Sequence, residues 1–595
     1  MKSVFVINEG SVFALLAAAL VRSPAYLLEV APVFRFTGPL LERICSWLER
    51  KGRLQPMTAL CPEFAPFVEY KYRTLLYDVF GRNRPWMERH FGFDAAETAG
   101  ADYAFGYRLT ICNYLGQYEH LIHACRMLSS RDDAATIQVI GLGADIAAGA
   151  GNSVDDGSTG GLRIRIRRPM VPARFVNLLS AIGVGLQGAV WVLTRARPRL
   201  PKPTEFFCAF DYVADENTAL IYREIDDGGP ILLVARDRRA VVGALPGDSV
   251  RHTLIHTMDG QFAPLEAARA AGRVIADCAR IYRRFGGCEA PLFYTLIGMP
   301  IWPAIYRALF NLYRPRVFWG RDSYNASHVL RRREVHRFGG QSWSVLNTFP
   351  AYSIIYPSYW YTSYDRHYVL GCAVFDRYYQ ETWASDMEVV VAGPYRASRE
   401  AYASRALPKP ADILVLCACF IGEPGMVDLI RSLATAFPDR KVILQLRRNR
   451  TYSTNDTADQ FIADCTKGLA NVEVTRERVY DLFPRARYAF SDPSSAVVEA
   501  VQFGLYAFFA DVAQVQETSY LRDVEGLPVT SGEEAVRRIR AIENGTWHYP
   551  IETLARHLDL SGYTFFDRIR IDLGLAPKEP PLTVWQDLEP KTAAG

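Results

Sequence analysis

The chain has 595 residues, 49% hydrophobic and 22% charged, with a formal net charge of +4. That length suggests about three or four ordinary domains, each with its own core. The composition excludes a disordered chain, and so small a net charge gives no field to attract nucleic acid, so any basic function is local.

The first elements read as an α/β unit. Residues 1–7 form a β-branched run, Asn8 and Glu9 interrupt it, and an alanine-rich helix and a second strand over residues 25–30 follow. The interruption argues against a secretory leader. Residues 1–150 are expected to form an extra N-terminal α/β domain, followed by a connecting segment over 151–202.

Within that segment, Phe175 to Thr194 is a run of 20 residues without a charge. Its length permits a bilayer crossing. Asn177, Ser180, Gln187 and three glycines oppose one, and both flanks are basic: Arg163, Arg165, Arg167, Arg168 and Arg174 before, Arg195, Arg197, Arg199 and Lys202 after. The preferred reading is a helix lying on an anionic membrane with Trp191 at the interface. A buried core helix and a span remain alternatives.

Pro198, Pro201 and Pro203 mark a boundary, because proline stiffens a linker and stops regular structure. A new α/β domain is expected over 203–392. Its strands are placed at 205–210, 230–235, 315–320, 342–347 and 364–371, and a long helix opens at Pro264, with its proline in the tolerated first turn. The aromatic segment 291–313, broken by Pro300 and Pro303, reads either as core or as an apolar ledge beside a cleft.

A third block, 393–580, contains a βαβ unit: an apolar run at 413–420, the loop Gly422 to Gly425, a helical pattern, and a second apolar run ending in Arg447 and Arg448. Strand, helix, strand implies a parallel sheet, and ligands bind outside the carboxyl ends of such strands. Residues 488–504 repeat the logic. A strand ends at Ser491, Asp492, Pro493, Ser494 and Ser495 make a polar turn, and a helix carrying Glu499 follows. Short oxygens and free amides at a helix opening suit a phosphate, with Arg447 and Arg448 as a basic fork. The plain alternative is an N-capped helix. Residues 581–595 are read as a tail.

Eleven cysteines, without a Cys-x-x-Cys pair, argue against structural zinc and read as reduced thiols of a cytoplasmic protein.

The block Asp492-Pro-Ser-Ser495 with Glu499-Ala500 and Gly504 resembles the donor half of GT-B glycosyltransferases, especially bacterial enzymes that build capsule and O-antigen. A similar Ser-Ser turn occurs in CDP-glycerol glycerophosphotransferases. Arg321-Asp-Ser-Tyr-Asn-Ala-Ser-His328 resembles the Asp-x-Tyr-Ser-Pro-x-His turn of the acceptor half, with Asn325-Ala326 in place of Ser-Pro. Asn347-Thr-Phe-Pro350 stands where many relatives carry His-Gly, which leaves the catalytic assignment open.

The resemblance implies two Rossmann-like domains facing across a cleft, and a glycosyltransferase moving a sugar from a CMP- or NDP-activated donor to a lipid-linked or polysaccharide acceptor at the inner face of a bacterial membrane. No metal or other cofactor is expected. Ser494, Ser495, Asp492, Gly422, Arg447 and Arg448 would hold the donor phosphate and Glu499 its ribose. Asp322 is the expected base, unless it merely caps its helix, with His328 as helper and Asp211 as the next choice. A CDP-polyol phosphotransferase of the teichoic-acid type and a non-catalytic scaffold are the alternatives.

Overall fold

Three parallel sheets organise the chain, each built from short apolar strands that alternate with helices. The computed structural model describes residues 3–7, 19–20, 24–27, 38–56, 88–93, 103–115, 136–140, 163–166, 173–211, 216–236, 252–321, 325–346, 360–418, 420–447, 455–513 and 520–585. The first sheet comprises β1 (Ser3–Ile7), β2 (Ala25–Leu27), β3 (Leu54–Pro56), β4 (Thr136–Ile140) and β5 (Arg163–Ile166), in the order β3-β2-β1-β4-β5. The second holds β6 (Thr204–Phe210), β7 (Ile231–Ala235), β8 (His252–His256), β9 (Tyr313–Gly320), β10 (Gln341–Val345), β11 (Arg366–Val369) and β12 (Glu388–Val391), in the order β12-β11-β10-β9-β6-β7-β8. The third holds β13 (Ile413–Cys417), β14 (Val442–Leu446), β15 (Val472–Thr475), β16 (Tyr488–Ser491), β17 (Tyr506–Ala510) and β18 (Pro528–Val529), in the order β15-β14-β13-β16-β17-β18.

All three share one logic. The first strand lies centrally, two more add on one side, and the chain then crosses over to add the rest on the other. Among the described residues the strand pairs in them are parallel; in the third sheet, for example, Leu414 pairs with Ile443 on one side and with Ala489 on the other. Parallel strands need both faces covered, which is why β7 and β13 are unbroken apolar runs and β14 is apolar but for Gln445, with every residue of the three buried. The α/β class, with two Rossmann-like sheets and an additional N-terminal sheet, agrees with the sequence reading.

Helix α1 (Tyr103–Leu115) does not stay with the N-terminal sheet. Nearly all its described side chains are buried, including Phe105, Arg108, Leu109 and Ile111. Phe105 meets Tyr361 edge-on at 5.4 Å, and a Cβ on Gly106 would come within 2.7 Å of Met299. The N-terminal region thus contributes a helix to the core of the second lobe.

Helix α2 (Ala173–Thr194) runs antiparallel to helix α3 (Pro264–Phe285), as Asn177 donates to the carbonyls of Gly286 and Cys288 while Gly188 lies against Val274. Its contact face is made of small residues, Ala181, Gly185, Gly188 and Ala189, and a Cβ on Gly188 would meet Val274 at 2.8 Å. The helix is long and apolar enough to cross a membrane. Its partner opposes that, because α3 exposes Arg269, Arg273, Arg280 and Arg283 along its length. Were α2 to span a bilayer these would enter with it, at about 2.5–3.5 kcal/mol for each arginine near the midplane. Trp191, read from sequence as an interfacial anchor, instead packs partly buried against the core.

The second and third lobes are tied by the C-terminal helices. From helix α7 (Phe565–Asp572), Arg570 reaches Asp227 at 2.6 Å and Asp572 accepts from Tyr368 at 2.8 Å. Arg399, between the lobes, is shared by Glu224 at 2.7 Å and Asp567 at 3.1 Å. The segment 291–313 is mostly core, with Leu292, Phe293, Leu296, Ile297, Leu309 and Phe310 at 0% exposure, so the ledge reading loses to the core reading.

Candidate functional site

In an open parallel sheet a crevice opens where neighbouring strands send their chains in opposite directions, outside the carboxyl ends. In the third sheet that point lies between β13 and β16, and in the second between β6 and β9. An aspartate follows a strand at each: Asp492 after β16 and Asp211 after β6.

At the third sheet, Asp492 is buried and its Oδ2 accepts from the backbone N–H of Ala418 at 2.6 Å and of Phe420 at 3.0 Å. Its own N–H donates to Leu416. The carboxylate therefore staples the loop after β13 to the turn after β16. That loop continues through Gly422, whose φ of 90° lies in the left-handed region, where a side chain is strained. It enters helix α5 (Pro424–Ala436) at Gly425, where a Cβ would collide with the Val512 carbonyl. On the other side of β13, the Arg447 N–H donates to the Cys417 carbonyl at 3.1 Å, placing the exposed Arg447 at the same edge.

Ser494 and Ser495 are half-buried. Ser494 Oγ accepts from the Ala496 N–H at 3.3 Å, and Ser495 occupies the cap position of helix α6 (Ala496–Gln502) without a side-chain cap bond. Glu499 is not open: its Oε2 accepts from the Tyr480 hydroxyl at 2.6 Å. Burial and the adjacent Glu499 charge push the Tyr480 phenol well above its ordinary range, so it stays a donor. Arg396 also belongs to this cluster. Burial works against its cation, but Tyr395, Glu499 and Tyr480 outweigh that and raise its pKa. Nothing in the local sequence marks Arg396 for this role; only its position beside Glu499 does. Arg448 lies outside the described residues.

At the second sheet, Asp211 is buried and its Oδ2 takes the Arg331 Nη1 at 2.7 Å and the Arg236 Nη2 at 3.1 Å. Arg331 comes from helix α4 (Ser327–Arg337) and lies over the Phe318 ring at 4.5 Å. Gly320 makes room for it, since a Cβ there would collide with the guanidinium. Two cations thus hold the carboxylate considered as a second choice of base.

His328, the expected helper, is fully buried. Its Nε2 accepts from the Ser363 N–H at 3.1 Å and its Nδ1 faces the Asn325 carbonyl at 2.6 Å, so Nδ1 carries the proton. Its ring stacks on Tyr364 at 4.7 Å. With both nitrogens engaged inside the lobe, His328 braces its helix, where the sequence reading expected a helper to the base. Asp322 lies outside the described residues, as does Asn347-Thr-Phe-Pro350.

The two edges meet at their rims. Arg478, before the short helix Val479–Leu482, bonds Glu216 at the start of the helix Glu216–Glu224, with an N–O distance of 2.9 Å. Among the described residues no group of three or more His, Cys, Asp or Glu side chains is arranged to hold a metal ion.

These features define an α/β protein of two Rossmann-like lobes with switch-point crevices, extended by an N-terminal sheet. No protein-family model matches the chain, and no curated protein matches it in sequence. Solved structures to which it is similar include the UDP-GlcNAc 2-epimerase of Neisseria meningitidis bound to UDP-GlcNAc, at 10% identity and a TM-score of 0.37 over 62% of this chain and 99% of that one. A glycosyltransferase from Rickettsia africae is similar at 10% identity and a TM-score of 0.33, over 60% of this chain and 93% of that one. An O. sativa protein solved in complex with UDP is similar at 12% identity and a TM-score of 0.35, over 61% of this chain and 98% of that one.

Proposed function

We propose that the protein is a GT-B glycosyltransferase that moves a sugar from a CMP- or NDP-activated donor to a bacterial surface glycan of the capsule or O-antigen kind, carried on a lipid or a polysaccharide. The supporting observation is the stapled edge of the third sheet, where Asp492 holds the loop after β13 against the turn after β16 and Arg447 stands beside them. Three chain segments at one switch point make a seat for a diphosphate or monophosphate. Charge on the departing phosphate would be met by Arg447, the Ser494 and Ser495 hydroxyls and the turn amides, without a metal ion. Asp492 shapes that seat, and Glu499, oriented by Tyr480 and Arg396, would take the ribose. Asp322, which follows β9 in sequence, would remove the acceptor proton. The reaction would take place at the cytoplasmic face of the membrane.

One observation favours a second reading. His328 and Asp211 are both committed inside their lobe, so loss of Asp322 would leave a nucleotide-binding scaffold without a described base. Thermal shift against CMP, CDP, UDP, GDP and dTDP separates the cases, since a ligand of the folded state raises its midpoint. One nucleotide should stabilise the wild type, and Ser494→Ala with Ser495→Ala should abolish that. Asp322→Asn should bind normally but lose turnover. Phosphate carried into the product would redirect the reading to a polyol-phosphate transferase, and absence of any nucleotide response would end it.

A further inference from the structure

The face of α2 turned away from the protein is apolar along its whole length. Phe175, Leu178, Leu179, Ile182, Leu186, Val190 and Leu193 are exposed by 36% to 59%, and their spacing of three and four residues puts them on one stripe. A helix packed only for its own stability places its large side chains inward. Here glycine and alanine face inward and leucine, isoleucine and phenylalanine face out, so the buried side is chosen for close approach and the outer side for something else.

Charge says what that is. On α3 the exposed positions nearest α2 are small or apolar, Ala268, Gly272, Ile275 and Ala279, and by helical spacing the next row out is Arg269, Arg273, Arg280 and Arg283. The acidic members of α3 are already paired: Asp277 with Arg280, and Glu266 with Asn311 at 2.8 Å. Beyond the end of α2, Arg199 and Lys202 are exposed, and Arg197 caps the helix through the carbonyls of Thr194 and Ala196. An apolar stripe rimmed by arginines, with Arg280 of that row paired to Asp277, complements a surface that is greasy within and anionic at its edge.

We propose that the α2–α3 pair docks in plane on an anionic lipid bilayer, the stripe of α2 sunk to the acyl boundary and the α3 arginines seated on headgroup phosphates. This stands on its own observations and not on the transferase reading. A second copy of the chain offers the competing occupant, but identical arginine rows would then face one another or water, with no acidic row to receive them.

The test is flotation of the full-length protein with vesicles of phosphatidylcholine alone or mixed with phosphatidylglycerol. Wild type should float with the mixed vesicles and lose most binding in high salt. Leu179→Glu with Leu186→Glu should lower partitioning at least ~100-fold by removing two buried leucines. Arg269→Ala with Arg273→Ala should lower it about fivefold per arginine on anionic vesicles only. The thermal midpoint of each variant checks that the fold survives, and the arginine pair, fully on the surface, serves if the leucine pair does not fold. The proposal is overturned if wild type fails to float, if both variants float like wild type, or if light scattering shows a dimer that Leu186→Glu splits.

Discussion

The two switch points solve one problem in opposite ways. In the second lobe the aspartate after β6 is locked by side-chain cations, Arg331 and Arg236, which arrive from other elements. In the third lobe the aspartate after β16 is locked by backbone amides of the neighbouring loop. The lock made of cations buries Arg331 and engages Arg236 at the surface, whereas the lock made of amides uses no side-chain cation and Arg447 is exposed at that rim. The second edge is therefore braced by side-chain charge, and the third by backbone amides with Arg447 beside them.

The sharpest way to break this contrast is Arg331→Ala. Breaking a buried pair costs about 3–5 kcal/mol, and Arg331→Ala should fall toward the lower end of that range because Arg236 still bonds Asp211. Denaturant unfolding should show that loss confined to the second lobe, with nucleotide binding unchanged; a loss of binding would erase the distinction between the edges.

Acid should separate the lobes next. Full burial drives His367, on β11, down to about 3, and burial plus the neighbouring Arg556 drives His557, packed on the same lobe at Gly371, down to about 4. Their folded values lie below the ordinary 6.5, so the unfolded chain binds more protons in the window between. Stability is complete above about pH 6.5 and falls as the pH drops toward the folded values. At pH 5 His367 alone should cost the second lobe about 2 kcal/mol. Hydrogen exchange read by lobe should find β10 and β11 opening before β13 and β14 as pH is lowered, and His367→Phe should flatten that slope.

The smallest expected effect is Asp492→Asn. An amide oxygen still accepts, but without the charge, so the loop after β13 should loosen by about 1 kcal/mol. Because that loop borders the proposed phosphate seat, nucleotide affinity should fall while Arg331→Ala leaves it intact. Equal affinity in wild type and Asp492→Asn would show that the staple does not shape the seat.

Much of the architecture was legible beforehand because apolar runs of four to eight residues, spaced by helical patterns, leave few solutions but a parallel sheet. The strands around 205–210, 231–235, 413–417, 442–446 and 488–491 lie where those runs lie. The site was legible only in part. The polar turn after Ser491 and Gly422 announced a carboxyl-edge crevice, but Asp492, read as a phosphate ligand, holds its partner loop. Arg396 and Tyr480 carried no signal, since Tyr480 acts by bonding Glu499 and Arg396 by its charge beside that residue.

Local sequence thus determined the α/β class, the position of each crevice-edge turn and the existence of an uncharged helix between basic flanks, because periodicity and turn chemistry act over a few residues. Tertiary structure alone decided that Arg331 would meet Asp211 across 120 positions of chain, that His328 would face inward, and which side of α2 would stay uncovered. Those outcomes depend on which distant surfaces pack together, and a pairing between separated residues leaves no mark on the local pattern of either one.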